Sequence, residues 1–496
     1  MSTLLAAAPL VSVVALMLAL RWRAATAGAV GLILAVLIAL AAFGLGETRL
    51  PRFGPAGALA ATGVEALHLS FTVLWIVFPA LAIYELQNRT GALAKIRDAL
   101  SRISTRSRTQ VILVAWFFGL FMEGAAGFGA PVALVAPLLV GLGHDPVRAV
   151  VLALVGHAAG VAFGALGTPV LTQAGLLADP APALAAETAI ATCFTGVGLL
   201  AALVWLAGPR PPTPGDVAMG AAAGLCFFLP YIALAFLAGP ELPTIGAALI
   251  GGGAFALIAR QKSADAPPLS GRELVVPLAP YLIIVGLIGI TRLPPGASEA
   301  LRSFEFAWSL GGPFRGAFQP LYHAGTMLAA GFLIGGLLQS KDGRILAAAA
   351  AAAARRLGPV ALALLVMLYL SRVMVHGGLI AELAGAALVV GGLWPLLTPL
   401  LGAVGSFVTG SATASNILLT PFQVGAAEAL DLPVTSMAAG QGAGAAAGNM
   451  TCPHNIIAGA ATVGCRNRDA EILRMTAPVC LLALAMGGLW LWLSLN

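Results

Sequence analysis

Charge is what this sequence has least of. Only 9% of its 496 residues are charged, against roughly 25% in soluble domains, while 59% are hydrophobic and the mean hydropathy is +0.96. That scarcity excludes a soluble globular chain. It also removes nucleic acid as a partner despite a formal net charge of +6, because the Lys and Arg residues fall mainly in short connections between apolar runs. Cysteine is sparse as well: Cys193, Cys226, Cys452, Cys465 and Cys480 include no C-x-x-C pair. Such scatter argues against a disulfide framework or a zinc site and leaves inert buried thiols. No polar stretch is long enough to fold as a separate domain. No basic segment precedes the first apolar run, so Leu4–Leu20 reads as a retained helix rather than a cleaved signal.

What is present is a succession of apolar runs. Runs of about 20 residues span a bilayer as helices, and the expectation is an all-α polytopic membrane protein with about 12–14 transmembrane helices. Leu4–Leu20, Ala27–Leu45 and His68–Leu86 come first. A strongly basic connection follows, with Arg89, Lys95, Arg97, Arg102, Arg106 and Arg108 against one acid, Asp98. The positive-inside bias makes it cytoplasmic; counting back puts Arg21 and Arg23 on the same side and the N-terminus in the periplasm. Later runs are Thr188–Ala207, Val217–Leu237, Thr244–Ile258, Leu274–Ile290, Leu321–Leu338, Val360–Tyr369, Leu379–Leu393 and a final span to Leu495. Basic loops hold Arg260, Lys262 and Arg272, then Lys341, Arg344, Arg355 and Arg356, then Arg466, Arg468 and Arg474. The alanine tract Ala347–Ala354 reads as helix former within one of them. The stretch Pro294–Pro320 is too polar to span, and Glu299–Phe304 reads as a short interfacial helix.

Two regions break the pattern. Inside the apolar run Val111–Gly143 the only charged side chain is Glu123, followed by Gly124, Gly127, Gly129 and Pro131. Irregular backbone at membrane depth belongs where it lines a cavity, and an intramembrane carboxylate marks a functional site by default. About 40 residues later a second break, Gly164–Pro169, contains proline. The last third repeats the device in Gly405–Asn416 and Gly448–Asn455. Paired Gly/Pro-interrupted segments in two halves point to the binding site of a secondary transporter. The chain therefore divides into N-terminal helices and a basic loop (1–110), a first repeat core (111–207), connecting helices (208–356) and a second repeat core (357–496).

A helix stopping mid-membrane leaves unpaired N–H groups and a partial positive charge at its N-terminus, so facing helix ends suit a small anion. Gly127, Phe128, Gly129 and Thr168 are the substrate-binding candidates of the first half. In the second they are Ser411, Thr413, Ser415, Asn416, Gln441, Asn449, His454 and Asn455. Ordinary small-residue helix packing is the competing reading, but the density of hydroxyls and amides favours a site. For a proton, Glu123 leads, since a carboxyl in an apolar setting holds its proton more tightly than in water. His157 and His376, in mid-span positions, are further candidates. Arg372 is suited to a substrate carboxylate or to Glu382. His454 with Cys452 does not make a metal pair. No cofactor and no metal are called for.

Glu123–Pro131, Phe163–Gly167, Gly410–Asn416 and Gly448–Asn455 together resemble the bacterial lactate permease family, over nearly the whole chain. The resemblance implies proton-coupled uptake of L-lactate, D-lactate or glycolate across the bacterial inner membrane. It also implies two inverted repeats with re-entrant hairpins and an elevator-type motion. Two positions depart from the pattern: many members carry Asp and Asn or Ser where this chain has Ala412 and Ala414. Some members also carry Asn in the segment of His157. The expected function is import of a small monocarboxylate with a proton, the expected partners being that anion, the proton and the bilayer. Another small organic anion, or sodium coupling, is the near alternative. A membrane enzyme would want a metal cluster or a nucleophile–base pair, for which Ser411 or Ser415 with His454 is only suggestive. A channel would want a continuous polar lining, whereas polarity here sits at two discrete breaks.

Overall fold

Apolar segments in hydrocarbon must satisfy their own backbone N–H and C=O groups, and an isolated segment does so only as a helix. The computed structural model describes the chain apart from residues 1, 21, 102, 128, 178–180, 261–270, 295, 466 and 496, and apart from the side chains of 18, 97, 98, 100, 101, 271–274 and 386. Phe128, Arg21, Arg102, Lys262 and Arg466, and the side chains of Arg97, Asp98 and Arg272, thus lie outside the described residues.

The N-terminal pair α1 (Ser2–Ala19) and α2 (Ala24–Ala41) precedes the long α3 (Gly54–Arg89). Then come the amphipathic α4 (Ala92–Ser101) and a broken helix: α5 (Ser107–Val111), a π-helical stretch Ile112–Phe118, α6 (Gly119–Ala125), a break, and α7 (Ala130–Gly141). A second broken helix follows as α8 (Pro146–Ala158), a 3-10 turn Val161–Phe163 and α9 (Gly164–Ala174), leading to α10 (Ala181–Leu206). The connecting region holds α11 (Pro214–Ala238), α12 (Pro243–Ala259), α13 (Gly271–Arg292), α14 (Ala297–Arg302), strands β1 (Phe306–Gly311) and β2 (Phe314–Phe318), α15 (Ala324–Ala330) and α16 (Gly336–Ser340).

The first sequence of shapes then recurs. A long α17 (Gly343–His376) is followed by the short α18 (Leu379–Val390). A broken helix comes next, α19 (Trp394–Thr409) and α20 (Ala412–Ala429). After it stand α21 (Val434–Gly448), a 3-10 turn Asn449–Thr451 and α22 (Pro453–Thr462), and last the span α23 (Asp469–Leu495). The repeated order begins at Gly54 and Gly343, so the expected cores 111–207 and 357–496 fall largely within longer units. The equivalent helices α3 and α17 lie antiparallel. Glu65 pairs with Arg372 at 2.8 Å near one end, and Glu85 with Arg356 at 3.1 Å near the other. Helix α2 runs alongside α17, with Gly28 against Val366 and Met367 and Gly31 against Leu370. Arg23, Arg89, Arg344 and Arg356 therefore sit toward the same end of the bundle.

Among the described residues, eight helices are long and apolar enough to cross a membrane. The α8–α9 pair, bent by 64°, would be a ninth, and Ser2–Met17, Ala130–Gly141, Pro243–Ala259 and Ala324–Ser340 are shorter apolar helices. The outer faces are apolar, Leu257 being 75% and Leu229 64% exposed, as lipid contact demands. The chain is a multi-pass membrane protein.

Three expectations change. The alanine tract Ala347–Ala354 is no loop; it forms the first turns of the continuous α17. Helix α3 begins at Gly54, well before His68, and this brings Glu65 into a span. The segment read as too polar to cross carries, beyond α14, an antiparallel hairpin with a bulge between Ser309 and Gly311. The hairpin caps the start of α3 through rings: Phe314 on Phe53 at 5.1 Å, Trp308 on His68 at 5.4 Å and Phe318 on Phe71 at 5.1 Å.

Close helix packing depends on glycine. A Cβ at Gly251 of α12 would run into the Cys226 carbonyl of α11. Gly251→Val is expected to destabilise the protein by about 1–3 kcal/mol, read as a lower unfolding temperature in detergent, with unchanged substrate KM in the molecules that remain folded.

Candidate functional site

The two breaks share one backbone solution. Gly129, before α7, has φ 78°, and Gly410, before Ser411 and α20, has φ 77°. Only glycine takes that left-handed conformation cheaply, and it turns the chain sharply enough to start a new helix at membrane depth. At α20 the Ser411 side chain accepts from the Ala414 N–H at 3.3 Å. The N–H groups of Ala412 and Thr413 have no backbone acceptor among the described residues.

The second break of the first half is tighter. Ala165, Leu166 and Gly167 all have positive φ (43°, 51° and 82°) within the span written as α9. Backbone held there costs about 1–3 kcal/mol per residue where a side chain is present. The packing that holds it includes Gly167 against the Pro240 carbonyl and the Thr168 hydroxyl donating to the Ala165 carbonyl at 2.7 Å.

These ends converge on a cleft of about 60 Å³. It is lined from the first half by Glu123, Gly127, Gly129, Val161, Gly164, Ala165, Thr168 and Pro169, and from the second by Gly410, Ser411, Ala412, Thr413, Asn449 and Asn455. A water needs about 10–15 Å³ by that measure, so the cleft takes on the order of four to six water-sized groups. Among the described residues Glu123 is the one ionisable group in its lining. Its side chain is 7% exposed, and no hydrogen bond reaches the carboxylate among the described residues. His157 Nε2 stands 4.0 Å from it. The other ring nitrogen, Nδ1, lies 2.8 Å from the Ala153 carbonyl and donates to it, leaving neutral Nε2 free to accept. Asn449 lies against the imidazole. Its side-chain oxygen accepts from Asn455 Nδ2 at 2.7 Å, and Asn455 Oδ1 faces Gly129. The Thr413 hydroxyl has no hydrogen-bond partner among the described residues.

The structure brings together Glu123, Gly127, Gly129, Thr168, Ser411, Thr413, Asn449 and Asn455 in the lining, with His157 directly behind Glu123. Other candidates stand apart. Ser415 donates to the Gly402 carbonyl at 2.7 Å. Asn416 donates to the Pro169 carbonyl at 3.2 Å and accepts from Gln441 at 2.9 Å. Gln441 in turn accepts from Thr420 at 2.9 Å and Gln173 at 3.2 Å. This buried amide network ties the two halves together beneath the cleft. His454 is exposed on α22. Arg372 and His376 both bind Glu65, at 2.8 and 2.6 Å, between α3 and α17; Glu382 instead accepts from Thr3 at 2.9 Å. Phe128 lies outside the described residues.

Sequence reasoning missed Glu65 and Gln173, and it missed the lining role of Gly164 and Ala165. A Cβ at Gly164 would meet Glu123 Oε1, so the glycine makes room for the carboxylate. The paired glycines at 164 and 167, just before Pro169, were the available signal. Glu65 offered one too, as a lone acid in the apolar stretch Ala58–Ala66.

The family model for L-lactate permease matches residues 2–298 and 314–495. The chain belongs to that family. The unmatched stretch, 299–313, carries most of α14 and strand β1. The L-lactate permease of Streptococcus iniae is 29% identical over 457 residues, covering 88% of this chain and 93% of the relative. The glycolate permease GlcA of Escherichia coli K12 is 28% identical over 534 residues, covering 96% and 92%. The L-lactate permease of Bacillus subtilis is 25% identical over 511 residues. In three dimensions the chain resembles the Alcanivorax borkumensis YdaH transporter, whose crystal structure is described as revealing an unusual topology. The TM-score is 0.53 with 16% identity, covering 94% of this chain and 98% of that one; this likeness establishes the fold. Within the family pattern, the departure Ala412 lines the cleft, while Ala414 faces a neighbouring cavity.

Proposed function

We propose that this permease imports a small monocarboxylate, lactate or glycolate, with a proton across the bacterial inner membrane, its N-terminus on the periplasmic side. One observation carries the reading: a cleft of about 60 Å³, built from two half-helix breaks, in whose lining Glu123 is the only ionisable group among the described residues. Its size suits a two- or three-carbon hydroxy acid.

The substrate carboxylate is held by the free N–H groups of Ala412 and Thr413 at the start of α20, where the helix dipole favours negative charge. The Thr413 and Ser411 hydroxyls supply further donors. The substrate hydroxyl lies toward Thr168 and Asn455. Among the described residues no lysine or arginine lines the cleft, so the anion does not bind beside an ionised Glu123 and its charge is offset by a proton taken up with it. Protonated Glu123 donates to the substrate; ionised Glu123 repels it. Substrate and proton therefore enter together, so the charge carried across per cycle is zero and the loaded site bears the same single negative charge as the empty site with Glu123 ionised; a second negative charge at that depth would be costly. His157 Nε2, 4.0 Å from Glu123 and beside Asn449, is the nearest base to which Glu123 passes its proton. The cores containing the breaks move as an elevator against the antiparallel α3–α17 pair.

Proteoliposomes with a trapped pH dye test this. L-lactate added outside at neutral pH is expected to acidify the lumen faster than in protein-free vesicles, and a proton ionophore is expected to abolish accumulation. Uptake that needs sodium and leaves lumenal pH unchanged would replace the proton in this scheme. Failure of lactate and glycolate to be taken up at all would remove the substrate class.

A further inference from the structure

A second cavity, of about 420 Å³, adjoins the cleft. The two share Thr168, Ser411 and Thr413 in their linings, so they meet at those side chains. The larger cavity runs from those residues between α2, α3 and α17, past Val73, Leu364 and Met367, to Arg23 at the first turn of α2. Its walls are apolar over most of their length, and Arg23 is the one charged side chain among its lining residues. That arginine is exposed and bonded through no side-chain contact among the described residues.

The other side of the cleft is filled. Gly167 packs on the Pro240 carbonyl and Gly124 on the Ile245 backbone. Beyond them Glu241 is locked to Arg292 at 2.9 Å, with both side chains buried, and Arg292 lies over the Tyr322 ring. Access is thus one-sided, toward the end of the bundle where Arg23, Arg89 and Arg344 gather.

We propose that this cavity is the vestibule through which the monocarboxylate passes between the cleft and the cytoplasm, and that Arg23 at its mouth captures the anion. The inference rests on the monocarboxylate reading above. At about 420 Å³ the cavity is wide enough for the carboxylate to pass with its hydration water, and its apolar walls offer no tight site on the way; one cation at the mouth raises the local anion concentration. The walls divide between the α2–α3–α17 frame and the tip of the second break, Thr409 to Ala414, so movement of that break against the frame would close the route. Arg23 acts on encounter, at a distance from the cleft, and its effect is screened by salt.

Two measurements on the full chain test the proposal. In inside-out vesicles at low ionic strength, Arg23→Gln is expected to raise the lactate KM about fivefold with Vmax kept, the difference shrinking at high salt. Arg23→Lys is expected to restore it. Separately, a cysteine is placed at Ala363, halfway along the vestibule, in a chain whose five native cysteines are replaced. A charged, membrane-impermeant thiol reagent is expected to label Ala363→Cys from the cytoplasmic face, in inside-out vesicles, at least about tenfold faster than in right-side-out ones. If the variants take up lactate but Ala363→Cys is unlabelled, or is labelled equally from both faces, the vestibule is wrong. If Arg23→Gln lowers Vmax with KM unchanged, or changes neither, Arg23 is structural or idle. If wild type takes up no lactate, the monocarboxylate reading fails instead.

Discussion

Glu123→Gln is expected to cut lactate accumulation driven by an inward proton gradient about a hundredfold. Gln binds and releases no proton, so a gradient of two pH units, which through a one-to-one symport sustains a lactate ratio of about a hundredfold, no longer drives accumulation. Lactate–lactate exchange at equal pH on both sides is expected to survive. Gln keeps the size of a protonated carboxyl and its donor, so substrate can still be held while no proton is released. The combination separates coupling from collapse of the site. Radiolabelled uptake and counterflow in the same proteoliposomes measure both. A Gln variant that still accumulates lactate against its gradient would move the coupling role to His157. Gly164→Ala offers a second reading of the same carboxylate, because its methyl group would push directly on Glu123 Oε1.

The largest expected loss of stability lies elsewhere. Glu65 is 8% exposed and holds both Arg372 and His376. Removing one partner of a buried ion pair leaves an uncompensated charge, at a cost of about 3–5 kcal/mol. Glu65→Ala is therefore expected to lower the unfolding temperature more than Arg356→Ala, whose side chain is 57% exposed, so that water can replace it beside the largely buried Glu85. The double variant Glu65→Ala/Arg372→Ala is expected to lose less than the two single losses added, since the second change removes the stranded charge. Lactate KM should stay near wild type in what remains folded. A KM raised with stability intact would instead place Arg372 on the substrate, as its residue type alone suggested.

His376 and Arg372 show where sequence reading reaches its end. Each is an ionisable group in an apolar run, and by that rule each is a functional candidate. Which partner neutralises it is a matter of which helices pack together. Glu65 and Arg372 are far apart in sequence, and only the antiparallel α3–α17 contact joins them. Ser415, Asn416 and Gln441 teach the same lesson. They have the composition of a binding site, but the faces they occupy on α20 and α21 point to Gly402 and Gln173 rather than into the cleft. The alanine tract Ala347–Ala354 reads as helix former inside a basic loop, and the structure makes it part of the continuous α17.

The membrane class, the paired breaks and the singular position of Glu123 were legible from the sequence alone. They follow from local rules: charge is expensive in hydrocarbon, and a helix interrupted there by glycine and proline must have a reason to stop. Which of the polar residues face one another, that Gly164 clears space for Glu123, and that the cleft opens toward Arg23 were decided only by tertiary packing. Those properties belong to helix faces and crossings between segments hundreds of residues apart, for which a single chain carries no local signal.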